Sequence, residues 1–272
     1  MTTHRPPARL VGVIHLPPLP GSPGSSRSVA EIALAAVADA RTLVAAGYDY
    51  VVVENFGDAP FFASKVPAVT VSAMTVCAWA VREAVSTLPM VINVLRNDAD
   101  AALAIACAVG ASAIRVNVHN GARVTDQGLV QGEAATTMRT RKLLAAENVA
   151  VWADVDVKHS APLAQRSIYS EAKDLTWRGM VDAVLVTGEG TGRPVDEAKL
   201  RDVKEAVGQV PVYVASGATI ESLPALATCS DGVIVGSALR VKGIAGGPID
   251  ERRAHEFAEA FRAAFKISRK IP

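Results

Sequence analysis

The residues able to do chemistry gather at the ends of apolar runs. Val149 to His159 reads V-A-V-W-A-D-V-D-V-K-H. In an extended chain Val149, Val151, Ala153, Val155 and Val157 fall on one side, and Ala150, Trp152, Asp154, Asp156 and Lys158 on the other. That second face begins apolar and ends in two acids and a lysine, with His159 next in the chain. A surface strand would be polar along its length, and a purely structural core strand would carry no charge. Polarity confined to the carboxyl end is what an α/β barrel requires, since its active site forms there.

Other apolar runs end the same way. His15 closes Leu10–His15, Glu54 closes Tyr50–Glu54, and Thr187 closes Ala183–Thr187. Asn93 is the polar member of Met90–Leu95, and Arg115 and Asn117 share one face of Ala113–Val118. An acid/base pair drawn from Asp154, Asp156 and Glu54 is the preferred chemistry. Arg115, Asn93, Asn117 and Lys158 would orient substrate or stabilise developing negative charge, with His15, His159 and Thr187 as further substrate-binding groups. Lys158 would form a Schiff base if desolvated; two acids on its own strand favour a charged, ion-paired lysine and rank the carboxylates first. Asp154, Asp156, Glu54, His15 and His159 are ligand types for a divalent metal. No spacing motif supports one, so no metal site is assigned and the cofactor stays open. Each residue alone is more often a solvated strand end or a structural histidine; the agreement of successive strands is the argument for function.

A phosphate site is expected from two turns, Ser216-Gly217-Ala218-Thr219 and Gly236-Ser237-Ala238. They come after the seventh and eighth predicted strands, where barrels bind phosphate with backbone N–H groups and a helix N-terminus. Ser216, Gly217, Gly236 and Ser237 are the candidate residues, and Gly217–Thr219 is expected to open the next helix. Gly188-Glu189-Gly190-Thr191-Gly192 lacks the Lys-Ser/Thr of a P-loop and reads as a substrate-covering loop.

The elements that must position these groups alternate along the chain. Strands are expected at the six runs above, at Val212–Ser216 and at Gly232–Val235. Helical spacing is found in Val29–Ala46, Val69–Thr87, Asp98–Val109, a helix ending near Glu147, Asp196–Val207 and Asp250–Phe265. The Pro/Gly/Ser segment Leu16–Ser28 is too polar and flexible to pack as core, and His119–Glu133 exceeds the usual length of a βα connection. Both are expected to close over the mouth. The alternation predicts a parallel sheet, and eight units predict a (βα)8 TIM barrel spanning residues 1–272 as one domain. Val91–Val118 and Val212–Ser237 echo each other as strand, polar corner, alanine-rich helix, strand.

Bulk composition is consistent with this. A length of 272 residues suits one α/β barrel. The balance of 28 basic and 27 acidic residues, net +1, gives no electrostatic case for nucleic acid or a membrane surface. Cys77, Cys107 and Cys229 have no metal-ligand spacing and read as buried, reduced thiols of a cytoplasmic protein. Met1–Arg9 lacks the apolar core of a signal peptide, and no apolar run approaches the roughly 20 residues of a spanning helix. The expected partner is a small phosphorylated metabolite, with neither nucleic acid nor membrane embedding; a homo-oligomer is compatible with the sequence.

Several loops together resemble one family. They are V-I-H-L-P-P-L-P-G-S-P (Val13–Pro23), E-N-F-G-D-A-P-F (Glu54–Phe61), V-T-D-Q-G (Val124–Gly128), D-V-K-H-S (Asp156–Ser160) and T-G-E-G-T-G (Thr187–Gly192). Across nearly the whole chain they resemble the BtpA/SgcQ family. That resemblance implies a TIM barrel related to the phosphate-binding barrels. It also implies two functional directions, since the family is named for a cyanobacterial protein needed for photosystem I accumulation and other members sit among sugar-metabolism genes. It brings no agreed reaction and no assigned catalytic residue. The lead expectation is an enzyme on a phosphorylated sugar-like or nucleotide-like metabolite, of isomerase, lyase or glycosyl-transfer type. The alternative is a non-catalytic assembly or stability factor for photosystem I or another membrane complex.

Overall fold

The computed structural model describes residues 8–188 and 196–267. Eight strands form a closed barrel. They are β1 (Arg9–His15), β2 (Tyr50–Glu54), β3 (Met90–Asn93), β4 (Ala113–Val116), β7 (Ala150–Asp156), β9 (Ala183–Val186), β10 (Val212–Val214) and β11 (Gly232–Val235). Each pairs in parallel with its neighbours, and β1 closes on β11 through Arg9↔Gly232 to Gly12↔Val235. Between them run α1 (Val29–Ala46), α2 (Ala68–Ala84), α3 (Ala99–Val109), α4 (Ala134–Leu143), α5 (Ile168–Trp177), α6 (Glu197–Val207) and α7 (Leu223–Cys229), with α8 (Glu251–Ala264) last. This is a (βα)8 TIM barrel. No helix among the described residues is long and apolar enough to cross a membrane.

Strand parity builds two apolar layers, because successive side chains leave opposite faces. Val13, Val52, Val91, Trp152, Leu185 and Ile234 fill the barrel interior. Trp152 lies between Tyr50 and Tyr213, with ring centroids 5.4 and 5.2 Å away. The opposite parity, including Ile14, Val53, Val151 and Val214, packs under the helices. Helix starts are capped by side chains: Ser28 and Glu31 form a capping box on α1, while Asp98 and Asp250 accept from the first turns of α3 and α8. Such caps satisfy donors that have no partner inside the helix.

The loops depart from expectation in three places. Leu16–Ser28 does contribute to the core, since Leu16 and Leu19 are fully buried. Its backbone is fastened to the 3₁₀ turn Phe56–Asp58: Gly57 N–H donates to Leu16 O at 3.0 Å, and Leu19 N–H donates to Asp58 Oδ1 at 2.8 Å. A Cβ on Gly57 would stand 2.4 Å from Pro18 N. Gly57→Ala is therefore expected to lower stability by about 1–3 kcal/mol through overpacking and to loosen this loop, measured as a lower urea midpoint and faster amide exchange at Leu19. An unchanged midpoint would mean the two segments part freely.

His119–Glu133 is not an irregular loop. β5 (Ala122–Thr125) and β6 (Gly128–Gln131) form a hairpin, and β8 (Ser160–Pro162) adds antiparallel to β5. Val118, Val130 and Val157 bury one face of this small sheet. After β10, the helix α7 begins only at Leu223. Thr219 and Ser222 form a turn before it, so Gly217–Thr219 does not open a helix. Of the three cysteines, Cys77 and Cys229 are buried as expected, whereas Cys107 is exposed on α3.

Candidate active site

At the carboxyl ends of the strands His15, Glu54, Arg115 and Lys158 line one cavity of about 230 Å³ together with both glycine turns, Ser216–Thr219 and Gly236–Ala238. The strands converge these side chains from β1, β2, β4 and the segment after β7. In the turns, Gly217 has a left-handed φ of +81°. Gly236 lies so close to His15 that a Cβ there would be 3.1 Å from Nε2. Among the described residues no acceptor takes the N–H groups of Gly217, Ala218, Ser237 and Ala238. The donors at Gly217 and Ala218 come from a turn, and those at Ser237 and Ala238 from the start of the short 3₁₀ helix Ser237–Leu239.

His15 is fixed on three sides. Its ring stacks on Phe56 with centroids 4.2 Å apart, and Nδ1 accepts from Gly246 N–H at 3.1 Å. A neutral ring therefore carries its proton on Nε2, which stands 3.9 Å from Glu54 Oε1. Burial holds the imidazolium well below the usual histidine range, and Arg240, Lys158 and Arg115 push the same way. The folded protein thus binds fewer protons at His15 than the unfolded chain once pH falls below about 6.5. Stability is then lost with falling pH, by up to about 1.4 kcal/mol per unit for one such group. His15→Asn, which retains an acceptor near Nδ1, is expected to flatten the fall in urea-derived stability between about pH 6.5 and 5. An unaltered slope would show that His15 is charged in the fold.

Glu54 and Asn93 form a buried pair, with Asn93 Nδ2 donating to Glu54 Oε2 at 2.5 Å. Arg115 donates to Asp154 twice, Nε to Oδ2 at 3.1 Å and Nη2 to Oδ1 at 3.0 Å. Asn117 Nδ2 adds a third bond to Asp154 Oδ2 at 3.0 Å. The buried side-chain oxygens Asn93 Oδ1 and Asn117 Oδ1 find no partner among the described residues. Asp154 has both oxygens engaged and does not line this cavity; with Asn117 and Arg123 it borders a separate one of about 250 Å³. Lys158 lies below the ordinary lysine range because of burial. Arg115 and Arg96 lower it further, while Glu54 and Asp154 oppose them.

Six expected residues do not line this cavity: Asn93 and Asp154 reach it only through their bonds to Glu54 and Arg115, Asn117 bonds Asp154, and Asp156, Thr187 and His159 lie elsewhere. A register shift between Asp154 and Asp156 breaks the alternation of β7. A bulge adds one residue and re-aims the side chains beyond it. Asp156 consequently turns to Arg123 Nη1 at 2.7 Å and Lys199 Nζ at 2.5 Å, with Glu171 as a second partner of Arg123. Thr187 donates its hydroxyl to Asp156 O at 2.7 Å and so secures the bulge. His159 is exposed, with φ +58°. Among the described residues no three His, Cys, Asp or Glu side chains gather as a metal site. The loop Gly188–Gly192 lies, apart from Gly188, outside the described residues.

Two arginines escaped the sequence reading. Arg96, three residues past β3 in a segment read as a corner, is buried and donates Nη2 to Lys158 O at 2.8 Å. Its position directly after an apolar strand was the available signal. Arg240 is buried behind the second glycine turn and donates to Gly236 O, Gly247 O and Val13 O. A larger cavity of about 630 Å³ shares His15 and Phe56 with the first, but its wall comes mainly from the first loop and α1, where Arg27 and Asp39 are the charged members. Convergence of polar groups, not volume, singles out the smaller one.

Fold and site together define a TIM-barrel protein with a buried, basic-lined cavity at the carboxyl ends of its strands. The chain belongs to the BtpA family, whose sequence profile matches residues 7–263. An uncharacterized protein of Thermococcus kodakarensis is 44% identical over 253 residues, 92% of this chain and 94% of the relative. The photosystem I biogenesis protein BtpA of Synechocystis sp. is 40% identical over 264 residues, 97% of this chain and 90% of the relative. Among solved structures, the tryptophan synthase alpha chain of Legionella pneumophila superposes with a TM-score of 0.58 at 13% identity, covering 97% of this chain and 94% of the other. Phosphoribosyl anthranilate isomerase of Thermus thermophilus gives 0.54 at 14% identity, covering 93% and 98%. At these identities the likeness is one of fold.

Proposed function

We propose that this protein is an enzyme acting on a small phosphorylated metabolite, sugar-like or nucleotide-like, in the cavity between His15 and the two glycine turns. One observation carries the reading: the two glycine turns, whose N–H groups have no acceptor among the described residues, line the same cavity as a carboxylate, an imidazole, a guanidinium and a lysine. Backbone donors suit a phosphate, Arg115 supplies positive charge, and Glu54 with His15 supplies groups able to move a proton. The volume of about 230 Å³ lies below the roughly 300–1,000 Å³ of pockets for drug-sized ligands, which favours a small metabolite over a dinucleotide. Isomerisation, lyase chemistry and glycosyl transfer all use such a set. Asp156 is not assigned a part in it.

A thermal-shift screen with inorganic phosphate, sugar phosphates and nucleotides tests the reading. A ligand at a hundred times its Kd adds about 2.7 kcal/mol to stability. Selective stabilisation by phosphorylated compounds is expected, and its loss in Gly236→Val. No shift with any phosphorylated ligand would defeat the reading. A second reading, a non-catalytic assembly factor, draws support from the name of the Synechocystis relative. It would be favoured if Glu54→Gln, folded normally, fully complements a deletion strain.

A further inference from the structure

Geometry reverses the order of the reactive groups suggested by the sequence. Both oxygens of Asp154 are engaged by Arg115 and Asn117, and Asp156 turns away to Arg123 and Lys199. Lys158 lines the same cavity as His15, Glu54 and the two glycine turns. We propose that Lys158 forms an imine with the aldehyde or ketone of a phosphorylated substrate whose phosphate rests on the turns at Gly217 and Gly236. This inference rests on the phosphometabolite reading above and narrows its substrate class to phosphorylated carbonyl compounds.

The arrangement meets the needs of that step. The main chain at Lys158 is held by Arg96, whose Nη2 donates to its carbonyl. An amine attacks only when neutral; burial, the largest influence, disfavours the ammonium form, and Arg115 and Arg96 act with it against Glu54 and Asp154. Arg115, which lines the cavity, both disfavours the ammonium form and offers positive charge to a phosphorylated partner. Lys158 Nζ adds to the carbonyl carbon; a C–N bond forms and the C=O π pair moves to oxygen, which takes up a proton. Nitrogen then gives up a proton, the hydroxyl leaves as water after a second protonation, and C=N forms. Amine plus carbonyl gives imine plus water, with no oxidant or reductant. Glu54 Oε1 and His15 Nε2, 3.9 Å apart in the same cavity, are the groups placed to carry those protons. Once protonated, the imine nitrogen accepts the electron pair released when a bond at the neighbouring carbon breaks, and hydrolysis restores Lys158. Isomerases and lyases share that sequence.

Borohydride trapping decides the matter. The full chain would be incubated with dihydroxyacetone phosphate or with pyridoxal 5′-phosphate, reduced with sodium borohydride, digested and mapped by mass spectrometry. The expected product carries the probe's mass less one oxygen atom on Lys158. Excess inorganic phosphate should suppress it, and Lys158→Arg should abolish it while inorganic phosphate still raises Tm. Lys158→Met serves as a second variant should the arginine disturb the fold. Adducts confined to other lysines, or no adduct although inorganic phosphate raises Tm, would overturn the imine and leave the phosphate reading standing. No adduct and no phosphate shift would overturn both.

Discussion

Asp154→Ala is expected to destabilise the fold by about 3–5 kcal/mol, read from urea unfolding at neutral pH. Arg115 and Asp154 are both buried, the Asp154 side chain at 0% exposure and that of Arg115 at 7%. Removing the carboxylate leaves a guanidinium without its two acceptors, and Asn117 loses an acceptor as well. Glu54 also favours the charged guanidinium but is not one of those acceptors. The cost reflects an orphaned buried charge more than the worth of the pair, because desolvation consumes most of the attraction between two buried ions. Two companions separate these terms. Asp154→Asn keeps the shape and an acceptor and should lose about 1–3 kcal/mol. Arg115→Met combined with Asp154→Leu leaves no charge behind and should lose less than the sum of the single changes. If Asp154→Ala stays within about 1 kcal/mol of the parent, Arg115 has another partner and the pair does not hold the mouth together. The result governs how activity data are read: an inactive Asp154 variant would report on the position of Arg115 before it reported on acid/base chemistry.

Most of the barrel was legible because strand alternation and valine-rich runs are local signals of burial. Parity placed Trp152 in the interior. It failed between Asp154 and Asp156, at a bulge, since nothing in V-D-V distinguishes a regular strand from one carrying an extra residue. Asp156, Thr187 and His159 were misplaced together for that reason, each lying beyond the shift or tied to it. The hairpin at Ala122–Gln131 was missed although its short alternating runs flank a two-residue turn, because length alone made the segment read as a loop. Leu16 and Leu19 were hidden by the prolines around them. The glycines of the cradle could be found because glycine itself marks close backbone approach. The helix expected after Gly217 could not be delimited, as Thr219 and Ser222 satisfy each other's backbone before Pro224 enters α7. Arg96 and Arg240 were the costliest omissions. Their partners are main-chain carbonyls, and backbone acceptors leave no residue pattern to read.

Arg240 gives the second large effect, and it joins stability to function. Its guanidinium is 1% exposed and donates to three carbonyls: Gly236 O at 2.6 Å, Gly247 O at 2.7 Å and Val13 O at 2.9 Å. It also lies 3.9 Å from Asp39 Oδ2, whose other oxygen accepts from Ile249 N–H. The arginine thus ties the end of β1, the second glycine turn and the segment leading to α8 into one unit. Arg240→Met fills much of the volume but strands three acceptors and a carboxylate already pushed upward by burial. Buried groups left without partners cost about 1–3 kcal/mol each, partly relieved by water, so a loss of about 3–5 kcal/mol is expected in urea unfolding. Val13 and Gly236 flank His15 in space, and Gly246, which donates to His15 Nδ1, adjoins Gly247. The same variant should therefore weaken phosphate-dependent stabilisation at temperatures where it remains folded, and Arg240→Lys, with one short-range charge in place of a planar fork, should restore only part of either property. Full phosphate stabilisation in a destabilised Arg240→Met would separate the two roles, and would mean that the second glycine turn holds its shape without the arginine behind it.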